Sequence, residues 1–209
     1  MEFLIFSLIA YLLGSIPSAV WIGQKYYGID VRTEGSKNAG ATNTFRVLGK
    51  KAGIIVLLMD VAKGVLAVTL PVIFNALGTF NWSNNEVIHV QLLAAILAIL
   101  GHVFPLFAGF KGGKGVATSL GVIVAIHPMT ALVCFLLFLI VFLIFNYVSL
   151  GAIFAAIAFP LVIQFVFKET DFWLNLFSVV LGVAVIVAHK KNIKRLIKGE
   201  ESKMRLFKK

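Results

Sequence analysis

Small residues, side-chain amides, hydroxyl groups and an arginine occur together in a short polar stretch of an otherwise apolar chain. This first glycine loop, residues 35–43, contains Gly35, Ser36, Lys37, Asn38, Gly40, Thr42 and Asn43, and Arg46 follows it. Glycines let successive backbone N–H groups converge on an anion, and an arginine can bind two phosphate oxygens in one plane. The pattern predicts a phosphate site. The alternative, a flexible linker, would not usually carry paired asparagines and an arginine.

A second glycine loop, residues 109–115, combines two lysines with four glycines and opens a predicted helix. Its candidate binding residues are Lys111, Gly112, Gly113 and Lys114. A helix N-terminus adds partial positive charge and N–H groups that suit phosphate. The spacing is not that of a Walker A loop, and no strand precedes it as a dinucleotide fingerprint requires. A topology signal with glycines for tight helix packing explains the loop about equally well.

A third polar patch combines Ser149 with the end of the last apolar segment. His189 and Asn192 are three residues apart and would share one face of a helix. The lysines beyond Arg195 are expected only to contact anionic lipid.

Asp60 and Lys63 lie inside the second apolar segment and could meet as an i, i+3 pair. Ionisable residues at this depth are functional by default. A structural pair that closes the bundle is slightly favoured, because each charge has a partner in reach. Asp30 and Glu34 are expected to be solvated loop residues rather than catalytic ones.

The elements that position these residues are predicted to be apolar helices. Of the 209 residues, 60% are hydrophobic and 13% are charged, with a mean hydropathy of +0.98; a soluble domain is about 45–50% apolar. We predict an all-α integral membrane protein with seven transmembrane helices. The predicted spans are residues 3–23, 52–74, 88–108, 115–127, 129–146, 149–167 and 173–189. The single cysteine, Cys134, excludes an intrachain disulfide and a cysteine-based metal site.

Loop charges predict the orientation of these spans. Segments 24–51, 109–114 and the tail after residue 189 hold 17 of the 19 Lys and Arg residues. The remaining loops hold four acidic residues and one lysine, namely Glu2, Glu86, Lys168, Glu169 and Asp171. The positive-inside rule therefore places the N-terminus outside and the C-terminus in the cytoplasm.

The number of spans depends on the long apolar run of residues 115–145, which His127 and Pro128 interrupt. One span there would send the basic tail outside, whereas two spans keep it inside, so charge favours seven. We predict a single membrane domain, residues 1–209, with a basic cytoplasmic tail from about residue 190.

Together these motifs resemble the bacterial acyl-phosphate-dependent glycerol-3-phosphate acyltransferases, the PlsY family. The matching pieces, which run from about residue 11 to about residue 200, are residues 14–17, residues 35–43 with Arg46, Asp60 with Lys63 and Gly64, residues 102–118, residues 147–149, and His189 with Asn192, Arg195 and Leu196. Lys37 departs from the pattern, because the family usually has glycine there. It changes the expected loop conformation or adds a phosphate contact.

The resemblance implies seven spans in the orientation that the loop charges predict separately. It also implies transfer of an acyl chain from acyl phosphate to the 1-hydroxyl of glycerol 3-phosphate, giving lysophosphatidic acid and phosphate beside membrane lipid. No coenzyme A, other cofactor, metal, nucleic acid or obligate protein partner is expected. The expected location is the bacterial cytoplasmic (inner) membrane.

The residues of the three motifs then take expected roles. Those expected in catalysis are Ser36, Arg46, Lys111, His189 and Asn192, and those expected to bind substrate are Gly35, Asn38, Gly40, Thr42, Asn43, Gly112, Gly113, Lys114 and Ser149. The cations and loop N–H groups would lower repulsion between two phosphates. His189 is the only histidine expected near the chemistry, because His102 is not followed by an acid as in acyl-CoA-dependent acyltransferases. His89 and His127 fall on the predicted outer side.

The alternative function is a transporter or channel for an anion such as a phosphate ester. Broken helices near residues 14–17 and 127–128 would suit it. Against it, the polar groups collect at one predicted membrane face and not at the midplane. A structural scaffold is the third class.

Overall fold

A computed structural model describes residues 2–204, and in this part of the chain the elements are helices without strands. The α-helices are α1 (Glu2–Gly14), α2 (Ser18–Tyr27), α3 (Ala41–Leu48), α4 (Lys50–Ala76), α5 (Asn84–Val103), α6 (Val116–Ile126), α7 (Pro128–Phe145), α8 (Val148–Leu161), α9 (Phe172–Ala188) and α10 (Lys190–Ile197). A 3-10 helix (Leu106–Ala108) follows α5, and a π-helix (Val162–Val166) continues α8. Residue 1 and residues 205–209, the end of the predicted basic tail, lie outside the described residues.

The first compact unit, Met1–Ile126, contains α1 to α6. Its helices approach one another closely at glycines. A Cβ atom at Gly14 would overlap the Ala98 carbonyl, and one at Gly64 would overlap the Thr118 carbonyl. Small residues permit such approaches between apolar helices, so α1 packs against α5 and α4 packs against α6.

The first predicted span is two helices separated by a short break at residues 15–17. Pro17 has no N–H group to continue the ladder of α1, and it is the N-cap of α2. Within the break, the carbonyl of Ile16 accepts hydrogen bonds from the Ser18 N–H at 3.0 Å and from Lys63 Nζ at 2.9 Å. The break is therefore closed by a side chain of α4.

The second compact unit, His127–Lys209, contains α7 to α10. The turn predicted at residues 127–128 is confirmed, and His127 caps α7 by accepting a hydrogen bond from the Thr130 N–H at 3.3 Å. Asn146, in the left-handed conformation with φ 61°, ends α7. At the far end, α9 and α10 meet at a bend of 58°.

Within residues 2–204, five segments are long and apolar enough to cross a membrane: Glu2–Tyr27, Lys50–Ala76, Asn84–Ala108, Pro128–Phe145 and Val148–Val166. The bent pair of α9 and α10 makes a sixth candidate. The 11 residues of α6 rise only ~16 Å, about half of a ~30 Å hydrocarbon core. The protein is thus a multi-helix membrane protein, whereas the count of seven spans and the orientation stay predictions.

We expect a reporter fused after Lys209 to be active in the cytoplasm. A cysteine introduced at Asn84, the start of α5, should react with a membrane-impermeant thiol reagent added outside intact cells. The reason is the concentration of Lys and Arg in three loops. Labelling of a cysteine in the C-terminal tail from outside would contradict both the seven-span count and the orientation.

Candidate active site

Asn43 forms the centre of the first glycine loop, and its side chain is only 1% exposed. Its Oδ1 accepts from the Ser36 N–H at 2.8 Å, and its Nδ2 donates to the carbonyls of Val31 and Glu34 at 2.7 and 3.1 Å. Gly35 has φ 57°, and a Cβ there would lie 2.5 Å from Asn43 Oδ1, so this position needs glycine. Asn43, predicted to bind substrate, uses its amide to shape the loop.

Lys37 has φ 58°, in the left-handed region that glycine favours. A side chain in this region costs about 1–2 kcal/mol, which is a physical reason for a glycine at this position in the family that the sequence resembles. The Lys37 N–H donates to the Glu34 carbonyl at 2.9 Å and closes the turn. The side chain of Lys37 is exposed.

Arg32 and Asp30 form an ion pair beside the first glycine loop, so the prediction that Asp30 is simply solvated was wrong. Arg32 Nη2 lies 2.7 Å from Asp30 Oδ2, and Arg32 Nη1 donates to the Ala108 carbonyl at 2.7 Å. Hydrogen bonds from Arg32 lower the pKa of the Asp30 carboxyl, while the same pairing raises the pKa of Arg32.

The second glycine loop folds back on the end of α5 through backbone hydrogen bonds. The N–H groups of Gly112 and Gly113 donate to the carbonyls of Val103 and His102 at 3.1 and 3.2 Å. A Cβ at Gly112 would overlap the His102 carbonyl, and one at Gly113 would overlap His102 Nε2. These two N–H groups are therefore engaged within the protein, and the glycines serve close packing.

The two glycine loops lie side by side. A Cβ at Gly113 would sit 3.2 Å from the carbonyl of Ala39 in the first loop. Arg46 and Lys111 are both exposed, and among residues 2–204 neither forms an ion pair with a carboxylate. Ser36 is also exposed, while Asn38, Gly40, Thr42 and Lys114 are half-buried. Lys111 in the second loop, Arg46 in the last turn of α3, the short donors and the start of α3 are groups that can hold a phosphate.

A buried ionic network lies within the helices of the first unit. The predicted Asp60–Lys63 pair is confirmed: Lys63 Nζ lies 2.9 Å from Asp60 Oδ1. Ser18 Oγ donates to the same carboxylate oxygen at 2.9 Å. Lys63 also holds the carbonyl of Ile16, so one ammonium satisfies both the carboxylate of α4 and the break before α2.

His102 occupies a place that sequence reasoning missed. Its ring is buried between Asp60, with Nδ1 3.6 Å from Asp60 Oδ1, and the backbone of Gly113. His102 thus lies against the second glycine loop, while the expectation that His189 is the only histidine near the chemistry stays a prediction. The position of His102 at the end of α5, directly before the second glycine loop, was the available signal. Among residues 2–204 no cluster of three or more His, Cys, Asp or Glu side chains could hold a metal.

Glu201, which the sequence reasoning also missed, gathers the third polar patch within the second unit. Its carboxylate accepts hydrogen bonds from Ser149 Oγ, Asn192 Nδ2 and Arg195 Nε, each at 2.6 Å. Burial acts to raise the pKa of the Glu201 carboxyl, but these three hydrogen bonds outweigh it and lower the pKa. His189 is also buried, with Nδ1 2.8 Å from the Val185 carbonyl. No local spacing indicated that Glu201 would reach Ser149.

Comparisons with known proteins agree on one family. Residues 4–199 match the family model described as glycerol-3-phosphate acyltransferase. Relatives with that name include proteins of Chlorobaculum tepidum (43% identity, 98% of this chain and 97% of the relative), Fusobacterium nucleatum (43%, 98% and 100%) and Listeria welshimeri (44%, 97% and 96%). Two crystal structures of PlsY (YgiH), an integral membrane glycerol 3-phosphate acyltransferase, are 38% identical and cover 98% of this chain and 96% of theirs. The glycerol 3-phosphate form gives a TM-score of 0.84 and the lysophosphatidic acid form 0.81.

We expect Glu201→Gln to lower the melting temperature of the purified protein in detergent at about pH 7. Because the folded pKa of Glu201 lies below its ordinary value of 4.5, the carboxylate adds stability above about pH 4.5 and loses it as the pH falls through the lower folded pKa. The variant should therefore lose less stability than the wild type between pH 7 and about pH 3. Thermal unfolding across this range measures both effects.

Glu200→Gln is the matched control, because Glu200 is the exposed neighbour of Glu201. It should melt as the wild type does. Equal melting temperatures for Glu201→Gln and Glu200→Gln at neutral pH would show that the three hydrogen bonds to Glu201 contribute nothing to stability.

Proposed function

The chain belongs to the glycerol-3-phosphate acyltransferase family, and we propose that it moves a fatty acyl group from acyl phosphate to the 1-hydroxyl of sn-glycerol 3-phosphate. The products are lysophosphatidic acid and inorganic phosphate. The observation that carries the proposal is the contact between the two glycine loops, which together present the exposed cations Arg46 and Lys111. Both substrates carry a phosphate group, so the site needs cations that can bind two phosphates.

The reaction requires little covalent help from the protein. The hydroxyl oxygen of glycerol 3-phosphate forms a bond to the acyl carbonyl carbon, and the bond from that carbon to the phosphate oxygen breaks. The phosphate leaves with the bonding electron pair, and the hydroxyl proton ends on it. Because acyl phosphate is an activated anhydride, holding both reactants in place supplies much of the acceleration, on the order of 7–11 kcal/mol for well-oriented groups.

Arg46 and Lys111 stabilise negative charge as it builds on the leaving phosphate, and Lys114 adds to the same field. Ser36, Asn38 and Thr42 supply short donors beside Arg46. In this proposal Gly35, Gly40, Gly112, Gly113 and Asn43 set the shape of the loops. A substrate phosphate takes the proton.

In the second unit, Ser149, His189 and Asn192 are proposed to contribute donors to substrate. The support for this role is that Ser149 and Asn192 already bind one anionic group, the carboxylate of Glu201. Donors arranged for a carboxylate suit other oxyanions as well.

The proposal includes the membrane setting that the sequence predicts. The enzyme is a single multi-pass domain of the bacterial inner membrane with seven spans. Its glycine loops lie on the cytoplasmic side, where water-soluble glycerol 3-phosphate reaches them. The acyl chain lies among apolar helices. The enzyme needs no coenzyme A, metal or obligate protein partner.

A phosphate-ester transporter is the second candidate, and the break between α1 and α2 favours it. In that break, however, the Ile16 carbonyl is bound by Lys63. A fixed internal partner suits a packed helix break better than an ion pathway.

We expect the detergent-purified protein to form lysophosphatidic acid from glycerol 3-phosphate and acyl phosphate but not from acyl-CoA. Transport cannot occur in detergent, so turnover there separates the enzyme from a transporter. Activity should persist in a metal chelator. No product with acyl phosphate, or activity that only added metal restores, would refute the proposal.

We expect Arg46→Ala and Lys111→Ala each to lose at least about 100-fold in kcat/KM, since removal of one preorganised donor costs about 2.7–4 kcal/mol. Arg46→Lys should recover part of the loss, because an ammonium cannot bind two oxygens in one plane. Initial rates with acyl phosphate measure these effects.

Lys208→Ala is the control for a general loss of positive charge; it falls outside the described residues and should leave activity nearly unchanged. Each variant must express and melt as the wild type does. If folded Arg46→Ala and Lys111→Ala keep near-native turnover, the phosphate site does not lie at these loops.

A further inference from the structure

Arg32 connects the two glycine loops of the first unit. It precedes Gly35 by three residues, and its Nη1 donates to the Ala108 carbonyl, 76 residues further along the chain, at 2.7 Å. Its side chain is 25% exposed. The contact therefore crosses from the start of one loop to the start of the other in partly dehydrated surroundings.

Asp30 fixes the orientation of Arg32. The carboxylate of Asp30 accepts from Arg32 Nε at 3.0 Å, from Nη2 at 2.7 Å and from the Arg32 backbone N–H at 2.9 Å. A guanidinium held along one edge can turn only its other edge elsewhere. That edge is directed to Ala108, and Asp30 neutralises the charge.

The carbonyl of Ala108 belongs to the turn that presents Lys111. Ala108 ends the 3-10 helix, and both Gly109 and Phe110 follow in the left-handed conformation, with φ 62° and 59°. A side chain such as that of Phe110 is unfavourable in this conformation. The Lys111 N–H points to the same Ala108 carbonyl at 3.5 Å. The turn thus needs outside support, and a hydrogen bond from a charged donor is stronger than a neutral one.

We propose that Arg32 is a positioning residue, which sets Lys111 against the first glycine loop while Asp30 orients Arg32. This inference rests on the proposed function, in which Lys111 binds phosphate. Arg32 acts through Lys111 and does not itself bind substrate.

A double-mutant cycle tests this dependence. Arg32→Gln should lose about 10- to 100-fold in kcat/KM, the size of effect that a misplacement of about 1 Å produces. In a Lys111→Ala background the same change should cost less than about threefold, because the positioned group is absent. Lys51→Gln, at an exposed lysine in the first turn of α4, should leave kcat/KM unchanged relative to its parent, whether that parent is the wild type or Lys111→Ala. Losses that multiply in the double variant would overturn the proposal.

Amide hydrogen exchange gives a readout that needs no activity. In Arg32→Gln the Gly112 and Gly113 amides should exchange faster than in the wild type, whereas Lys51→Gln should not change them. Unchanged exchange in Arg32→Gln would also overturn the proposal. If Arg32→Gln does not fold, Asp30→Asn takes its place in both experiments, with the same non-additivity expected. A wild type without acyl-phosphate turnover would refute the proposed function, while exchange would still decide whether Arg32 supports the turn.

Discussion

The carboxylate of Asp60 lies in the middle of α4 with 1% exposure, and the arrangement of the first unit depends on how this charge is compensated. An ionised group in apolar surroundings must be paired and hydrogen-bonded. Lys63 and Ser18 do this directly, and His102 lies against the same oxygen. Because Lys63 also binds the Ile16 carbonyl, the charge pair fixes the start of α2. The pairing predicted from the i, i+3 spacing is confirmed, while the structural role slightly favoured for it stays a prediction.

His102 links this ionic network to the second glycine loop. Its ring faces Asp60 on one side and Gly113 on the other, and its carbonyl accepts from the Gly113 N–H. The second glycine loop therefore packs against the buried, polar side chain of His102. The N–H groups of Gly112 and Gly113 donate to backbone carbonyls of the protein. In the proposed function, phosphate is therefore bound by side chains, such as that of Lys111, and by helix N-termini.

The sequence predicted the apolar helices closely, because a bilayer demands long apolar runs with marked ends. Span 129–146 corresponds to α7, and the Asp60–Lys63 pair follows from helical spacing. Contacts between distant segments were not predictable in this way. Arg32 contacts Ala108 and Glu201 contacts Ser149. These contacts are made by irregular segments, and such segments have no sequence periodicity from which their course could be predicted. Asn43 was placed in the right loop, but amide chemistry suits a ligand and a turn equally, so its inward direction was not determined.

Some cations of the protein are paired with a carboxylate, and others are not. Asp30 neutralises Arg32, Asp60 neutralises Lys63 and Glu201 neutralises Arg195, so these three cations serve the fold. Arg46, in the last turn of α3 just after the first glycine loop, and Lys111, in the second glycine loop, have no such carboxylate among residues 2–204. Two unit charges about 4 Å apart near a protein surface interact by about 4 kcal/mol. In the proposed function the site brings two phosphates together, which requires cations whose charge is not already cancelled, and Arg46 and Lys111 meet this requirement.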